Sequence, residues 1–237
     1  MREKYLVMSL DDGTRQDEKV ISIFKKYGLT ATFNLNGGRL GEIEEIPIPA
    51  YDGQPLRHDK VTAKQVINGL YDGFEVACHG FTHAYLPSLT GSEAKKEIDA
   101  DYDEIFRLTG LPPRGIAYAG PTPNYTEEVI RILEKDRRFS YGRTIDETHG
   151  FSVPTDFFRW NPTCQFRGDE LLPRAEEFFD FHPDNGDALF FVWGHSYEFD
   201  LSSACWDKLE YFCKEVSSRK DVTCLTCAEF YDTEISR

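Results

Sequence analysis

The sequence has little positive charge and no long apolar run. Its 237 residues include 41 acidic and 27 basic side chains, which gives a formal net charge of −14. A surface this negative repels phosphate backbones and anionic lipids, so we expect neither a nucleic acid nor a membrane as a partner. No apolar stretch approaches the roughly 20 residues that are needed to cross a bilayer. The composition therefore indicates an acidic globular protein that remains in water.

The sequence also has few cysteines and no pattern typical of a secretory signal. Six cysteines are too few for a disulfide framework in a chain of this size. Residues 1–4 and the short apolar stretch after them lack the apolar core of a secretory signal. We therefore expect reduced thiols and a cytoplasmic location. Cys224 and Cys227 have the spacing of a zinc or redox pair, but no second pair accompanies them, so we interpret them as two buried thiols.

Short apolar runs alternate with segments of helical periodicity along the chain. We expect strands at residues 5–10, 30–35, 74–78, 116–118, 139–141, 157–158, 188–193 and 222–225. We expect helices at residues 16–27, 63–71, 126–134, 169–181 and 202–217, and one that begins at Ser92. This alternation predicts a parallel sheet. Six or seven such units without a linker favour a single domain over residues 1–237. They also favour a closed or nearly closed barrel over the main alternative, an open doubly wound sheet.

One segment interrupts the alternation. Residues 37–59 contain three prolines and four glycines and carry no clear period. Long loops in compact domains usually serve or cover a functional site. This segment, which we call the excursion, includes His58. We interpret His58 as a surface residue, although it could also cover a site.

Reactive side chains follow three of the predicted strands. Asp11 and Asp12 end the first strand, His79 and His83 follow the third, and His195 follows the run at residues 188–193. Side chains just past the carboxyl ends of parallel strands converge on one rim of the sheet. The sequence therefore predicts that two carboxylates and three imidazoles share one site.

The spacing of the first two histidines suits a metal ion. His79 and His83 are four residues apart, and on one helical turn their rings would share a face and could chelate one cation. With one aspartate they form a set that leaves positions open for water, which suits Zn²⁺ and equally Fe²⁺. The simpler alternatives are two hydrogen-bonded histidines and, at Asp11-Asp12-Gly13, an ordinary turn. The shared rim favours the metal.

The order of these residues resembles that of the polysaccharide deacetylase (NodB-homology, carbohydrate esterase) family. The Asp-Asp-Gly and His-x3-His motifs are specific together, and the resemblance extends over most of the chain. The matching pieces are residues 9–13 (SLDDG), 31–34 (ATFN), 79–83 (HGFTH) and 193–195 (WGH).

The resemblance implies an α/β fold, a distorted (β/α) barrel of about seven strands. It implies that Asp12, His79 and His83 bind a divalent metal, usually zinc, and that Asp11 is the general base and His195 the general acid. It also implies a metal-dependent hydrolase that removes an N-acyl group, such as acetyl, from an amino sugar in a poly- or oligosaccharide.

The third motif of the family is altered here. The family carries an arginine that holds the base carboxylate, and residues 116–123 contain none. Arg143 and Arg159 both follow predicted strands, and we select Arg143 as the residue that holds Asp11. We expect Tyr118 and Trp160 to bind the substrate, because aromatic rings stack on sugar faces, and a backbone N–H near Tyr118 to stabilise the oxyanion.

Two other functions stay open on the sequence, and a third is disfavoured. One is an amidase that acts on a small cyclic or ureido substrate. Another is a carbohydrate-binding relative that has lost its catalysis, which the altered third motif would explain. An iron oxygenase with two histidines and one carboxylate is disfavoured, because such sites commonly lie in all-β barrels. The acyl group, the size of the substrate, the resident metal and the oligomeric state are not determined by the sequence.

Overall fold

The main element of the structure is a parallel sheet surrounded by helices. The computed structural model describes residues 3–183 and 186–236. Its strands are β1 (Lys4–Asp11), β2 (Thr32–Leu35), β3 (Glu45–Pro49), β4 (Pro55–Arg57), β5 (Glu75–Cys78), β6 (Gly115–Ala117), β7 (Tyr141–Arg143), β8 (Cys164–Gln165), β9 (Ala188–His195) and β10 (Val222–Leu225). Its α-helices are α1 (Asp17–Tyr27), α2 (Ala63–Ile67), α3 (Gly91–Thr109), α4 (Glu127–Lys135), α5 (Leu171–Asp180), α6 (Ser203–Ser217) and α7 (Cys227–Ile235).

The sheet curls into a barrel. Its strand order is β7-β6-β5-β2-β1-β9-β8, and β10 pairs with the first half of β1. The two ends of this order approach each other through residues 160–165, because Trp160 pairs with Arg143 of β7 while β8 pairs with β9. This arrangement confirms the distorted (β/α) barrel of about seven strands and excludes the open doubly wound sheet. Strands β3 and β4 form a separate antiparallel hairpin within the excursion.

The alternation of side chains along β1 decides what faces the barrel interior. Every residue of β1 is buried, as expected for a central parallel strand that is covered on both faces. Leu6 and Met8 pack into the apolar layer under the helices, whereas Tyr5 and Val7 pack inside the barrel. The same period of two directs Asp11, at the end of the strand, toward the interior.

Several local predictions need correction. Residues 157–159 form a 3₁₀ turn and not a strand. Helix α3 begins after Thr90, whose hydroxyl accepts the N–H of Glu93, and not at Ser92. Helix α7 was not predicted. Its amino end enters the barrel, where Phe230 packs against Tyr5 and Trp160.

The cysteines and the helices bear on two expectations from the sequence, reduced thiols and no membrane-spanning segment. The six cysteines, all within the described residues, carry free thiols. Of the two thiols that the sequence predicts to be buried, Cys227 is fully buried and Cys224 is partly buried. Within residues 3–183 and 186–236, no helix combines the length and the apolar character that crossing a bilayer requires.

A buried carboxyl predicts how stability depends on pH. Asp17, at the start of α1, is fully buried and accepts the Tyr71 hydroxyl at 2.6 Å. Burial raises its pKa from 3.8 to about 7. Between these values the folded protein holds a proton that the unfolded chain has lost, so the free energy of unfolding falls as pH rises.

We therefore expect Asp17→Asn to raise the melting temperature at pH 8 by about 5 °C and to change it little at pH 4. Thermal unfolding followed by circular dichroism at both pH values measures this. The exposed substitution Asp207→Asn is the control and should leave the difference between the two pH values unchanged. A larger gain at pH 4 than at pH 8 would contradict the expected sign.

Candidate active site

A buried ion pair anchors the first carboxylate of the site. Asp11 lies opposite Asn34 of β2 and His195 of β9 in the register of the sheet. Arg143 reaches across the barrel from β7, and its Nη2 donates to Asp11 Oδ1. Asn34 Nδ2 donates to the same oxygen at 2.9 Å. Burial opposes ionisation of Asp11, but the charges of Arg143, His79 and His195 outweigh it and lower the pKa of the carboxyl.

The second carboxylate lies among the imidazoles. Asp12 Oδ1 is 3.7 Å from His79 Nε2 and 3.5 Å from His83 Nε2. The three candidate ligand atoms all lie within 4.8 Å of one another. His79 Nδ1 donates to the carbonyl of Ala117 at 2.8 Å, which leaves its Nε2 with a free lone pair. Asp12 Oδ1 is buried and has no hydrogen-bond partner among the described residues. This donor set fits a divalent cation.

The backbone that brings the two histidines together is not the expected one. Residues 79–83 form an irregular loop after β5, not a helical turn. Gly80 and His83 have φ values of +83° and +62°, so the chain turns back and the two rings lie with centroids 4.9 Å apart. Asp101 of α3 holds this loop by accepting the N–H of His79 at 2.9 Å.

Backbone strain is concentrated at this site. Among the described residues, three other than glycine have a left-handed φ: Asp12, His83 and His149. Such conformations cost about 1–3 kcal/mol and persist where the surrounding structure enforces them, often at functional sites. Two of the three residues belong to the candidate metal set.

The third imidazole lies on the other side of Asp12. His195 Nε2 is 4.0 Å from Asp12 Oδ2, and its Nδ1 is 3.3 Å from Glu198 Oε2. Arg167 Nη1 donates to the second oxygen of Glu198 at 3.2 Å. Burial opposes the charged form of His195, but Glu198 and the two aspartates outweigh it and raise the pKa of the ring to about 9.

The two aromatic residues expected to bind substrate do not face the site. Trp160 is 0% exposed and packs inside the barrel against Tyr141 and Phe191. Tyr118 is 1% exposed, and its hydroxyl donates to the carbonyl of Phe158. Both predictions are corrected, because neither ring can reach a sugar.

Hydrogen bonds bear on two further expectations. The N–H of Tyr118 itself donates to the carbonyl of Arg143 at 3.0 Å, so an oxyanion donor near Tyr118 stays a prediction for the residues beside it. Arg159, the second candidate for holding the base, instead pairs with Asp156 and Glu127 at the surface.

Sequence reasoning also missed three residues of the site. Glu198 lies three residues after His195, a spacing that could have suggested a partner for the ring. His58 and Lys60 are buried beside Asp12, and His58 is therefore not a surface residue. The only signal for them was their position, His58 in the excursion and Lys60 directly after it.

The chain is similar to known proteins in sequence and in structure. A model of the polysaccharide deacetylase family matches residues 1–137, more than half of the chain. The chain belongs to the polysaccharide deacetylase family. One curated relative, an uncharacterised 30.6 kDa protein from Geobacillus stearothermophilus, is 24% identical over 143 residues. That match covers 56% of this chain and 43% of the relative, so it spans less than half of the relative's length.

Solved structures of family members share the fold. Peptidoglycan deacetylase PdaC from Bacillus subtilis is 16% identical, with a TM-score of 0.58 over 99% of this chain and 93% of the other. A family 4 acetyl xylan esterase from Clostridium thermocellum, solved with a cobalt ion, is 14% identical, with a TM-score of 0.61 over 98% and 92%. A pseudoenzyme from Bacillus anthracis is 18% identical, with a TM-score of 0.59 over 97% and 66%.

The ion pair between Arg143 and Asp11 can be tested through stability. We expect Arg143→Met to lower the free energy of unfolding by about 3–5 kcal/mol, because it leaves the carboxylate of Asp11 buried without its partner. Adding Asp11→Asn should recover at least about 1 kcal/mol relative to the sum of the single losses. Urea unfolding of the four proteins of this cycle measures the coupling.

The surface substitution Arg159→Met is the matched control for this cycle. Because its ion pairs are solvent-exposed, we expect it to cost less than about 1 kcal/mol. Additive losses at Arg143 and Asp11 would show that the two side chains do not act as a pair.

Proposed function

We propose that this protein is a metal-dependent deacetylase that hydrolyses the N-acetyl group of an amino sugar in an oligo- or polysaccharide. One observation carries the proposal: Asp12, His79 and His83 can share a cation, and Asp11 and His195 each lie 4.0 Å from a member of that set. Membership of the polysaccharide deacetylase family supports the reaction class. The presence of all five side chains in one site favours an active enzyme over a relative that only binds carbohydrate.

Asp12, His79 and His83 would hold the cation, zinc in this proposal. When bound there, a divalent cation polarises an acyl carbonyl and makes a water molecule more acidic. Asp11 is suited to act as the base, because Arg143 and Asn34 occupy its Oδ1. Its Oδ2 is left facing the metal set, 4.0 Å from His79 Nε2. The low pKa of Asp11 keeps it ionised and able to take the proton of the attacking water.

His195 is suited to act as the acid. Its ring carries a proton at neutral pH because its pKa is about 9, and its Nε2 lies 4.0 Å from Asp12 Oδ2 of the metal set. Glu198 Oε2, 3.3 Å from Nδ1, supplies a negative charge that favours the protonated ring. In the proposed reaction, water adds to the acyl carbon and gives one proton to Asp11. The C–N bond then breaks as His195 protonates the departing nitrogen.

The proposed substrate class is based on the names of the similar proteins. The neighbouring proteins are named for peptidoglycan and acetyl xylan, so an acetylated carbohydrate is the substrate class proposed here. The free thiols favour a reducing compartment such as the cytoplasm, where the substrate would be a small oligosaccharide. Small cyclic and ureido amides should be tested in the same assay. If the protein hydrolyses one of them and no acetylated carbohydrate, it is an amidase and not a carbohydrate deacetylase.

The first test concerns the metal. We expect the protein to hold about one equivalent of divalent metal and to release acetate from N-acetylglucosamine oligomers. We expect His79→Ala to lose the metal and more than about 99% of the activity, because two ligands hold zinc poorly. Elemental analysis and an acetate assay measure both. His149→Ala, which removes an exposed histidine, is the control. Full activity of His79→Ala, or of the fully chelated protein, would reject the proposal.

The second test concerns the proton donor. We expect His195→Ala to slow the hydrolysis of an N-acetyl amide by about 10²–10⁴-fold, because an amine leaves only when protonated. Hydrolysis of 4-nitrophenyl acetate should fall much less, since its leaving group needs no proton. Asp11→Asn should slow both substrates, because the attacking water needs a base in each case. Equal losses for both substrates in His195→Ala would argue against its role as the acid.

A further inference from the structure

The excursion reaches the candidate metal site through a chain of side-chain contacts. His58 Nε2 is 2.9 Å from Asp12 Oδ2, and His58 Nδ1 is 2.7 Å from Glu44 Oε2. Arg39 Nη2 donates to the same oxygen of Glu44 at 3.0 Å. His58 is only 8% exposed. Each nitrogen of the ring therefore faces a carboxylate oxygen, and the ring connects the excursion to Asp12.

The backbone around His58 is fixed beside the turn that carries Asp12. Lys60 pairs with Thr14 in an antiparallel bridge, and the N–H of Val61 donates to the carbonyl of Gly13 at 2.9 Å. The N–H of Arg15 donates to the carbonyl of Asp59 at 2.8 Å. Residues 58–61 thus lie directly along residues 13–15. The contact between His58 and Asp12 is enforced from both chain segments.

These contacts divide the carboxylate of Asp12 between two tasks. Oδ1 faces His79 and His83, while Oδ2 lies 2.9 Å from His58 Nε2 and 4.0 Å from His195 Nε2. The left-handed φ of Asp12 describes its backbone, and the carboxylate can still rotate about the side-chain bonds. A contact on one oxygen is then what keeps the other directed at the two imidazoles. Partners of this kind commonly change metal affinity by 10–100-fold when they are removed.

We propose that His58 is a positioning residue for the metal ligand Asp12, and that Glu44 holds its ring in place. The inference rests on the proposed metal site. In this proposal the excursion contributes to metal binding, because His58 fixes the direction of Asp12 Oδ1. The ammonium of Lys60 lies 3.4 Å from Asp12 Oδ1 and 3.2 Å from His58 Nε2, so it also bounds the carboxylate. It lies on the Oδ1 side and does not replace the contact on Oδ2.

The test is the affinity for Co²⁺ and Zn²⁺, measured by competition with a chromophoric chelator. We expect His58→Ala to weaken binding by about 10–100-fold. We expect His58→Gln, whose amide can still donate to Asp12, to stay within about threefold of the unchanged protein. The visible absorption of bound Co²⁺ should be altered in His58→Ala and retained in His58→Gln, because it reports the geometry of the ligands.

Glu44 provides a second variant with a matched control. Glu44→Gln should weaken metal binding by several fold, because it loosens the ring of His58. Glu42→Gln removes a carboxylate that pairs with Arg39 Nε instead of His58, and it should have no effect. If His58→Ala does not fold, His58→Gln and the two glutamate variants still decide the question. Equal effects of Glu44→Gln and Glu42→Gln would overturn the proposal.

Failure of this inference can be separated from failure of the proposed function. If the unchanged protein binds neither metal, the metal site is rejected and the role of His58 with it. If the unchanged protein binds metal and His58→Ala binds it equally well with the same Co²⁺ spectrum, only the positioning role is overturned. Weaker binding and an altered spectrum, both restored in His58→Gln, would support it.

Discussion

The ion pair between Asp11 and Arg143 is the interaction on which the site depends. Both side chains are buried inside the barrel, where either charge alone would be costly to keep away from water. The pair joins the central strand β1 to β7, so it holds the two sides of the barrel interior at a fixed distance. It also decides which oxygen of Asp11 remains available. With Oδ1 used by Arg143 and Asn34, only Oδ2 faces the imidazoles.

The turn after β1 explains how two adjacent aspartates serve different purposes. Asp11 still follows the period of the strand and faces the interior. Asp12 leaves the strand with a left-handed φ of 77°, which directs its carboxylate toward His79 and His83. Gly13 continues the turn with a φ of 59°, and an added Cβ there would lie 2.6 Å from Leu35. Leu35 of β2 therefore packs closely against the turn that carries Asp12.

The sequence predicted the parts of the fold that follow from local pattern. The strands around Leu6 and Phe190 are long apolar runs, and reactive residues at their ends were expected to meet, as they do. The positions of Trp160 and Tyr118 could not be predicted, because they depend on which side of a curled sheet faces inward. The place of His58 depends on how the excursion folds back along residues 13–15, which no local pattern specifies. The helical turn predicted at residues 79–83 was wrong for a related reason. A spacing of four residues between two histidines fits a helix, but Gly80 permits a tighter turn of the backbone.

Three of the residues that support the site come from outside the motifs by which the family was recognised. Arg143 of β7 holds Asp11 in place of the arginine that is absent from residues 116–123. Glu198, in the turn after β9, holds His195, and His58 contacts Asp12 from the excursion. A carboxylate or imidazole needs a partner that fixes its charge and direction, but the partner can come from any nearby segment. Motifs at the strand ends therefore identify the family, whereas these supporting contacts determine whether the residues of the motifs are held in a geometry that can react.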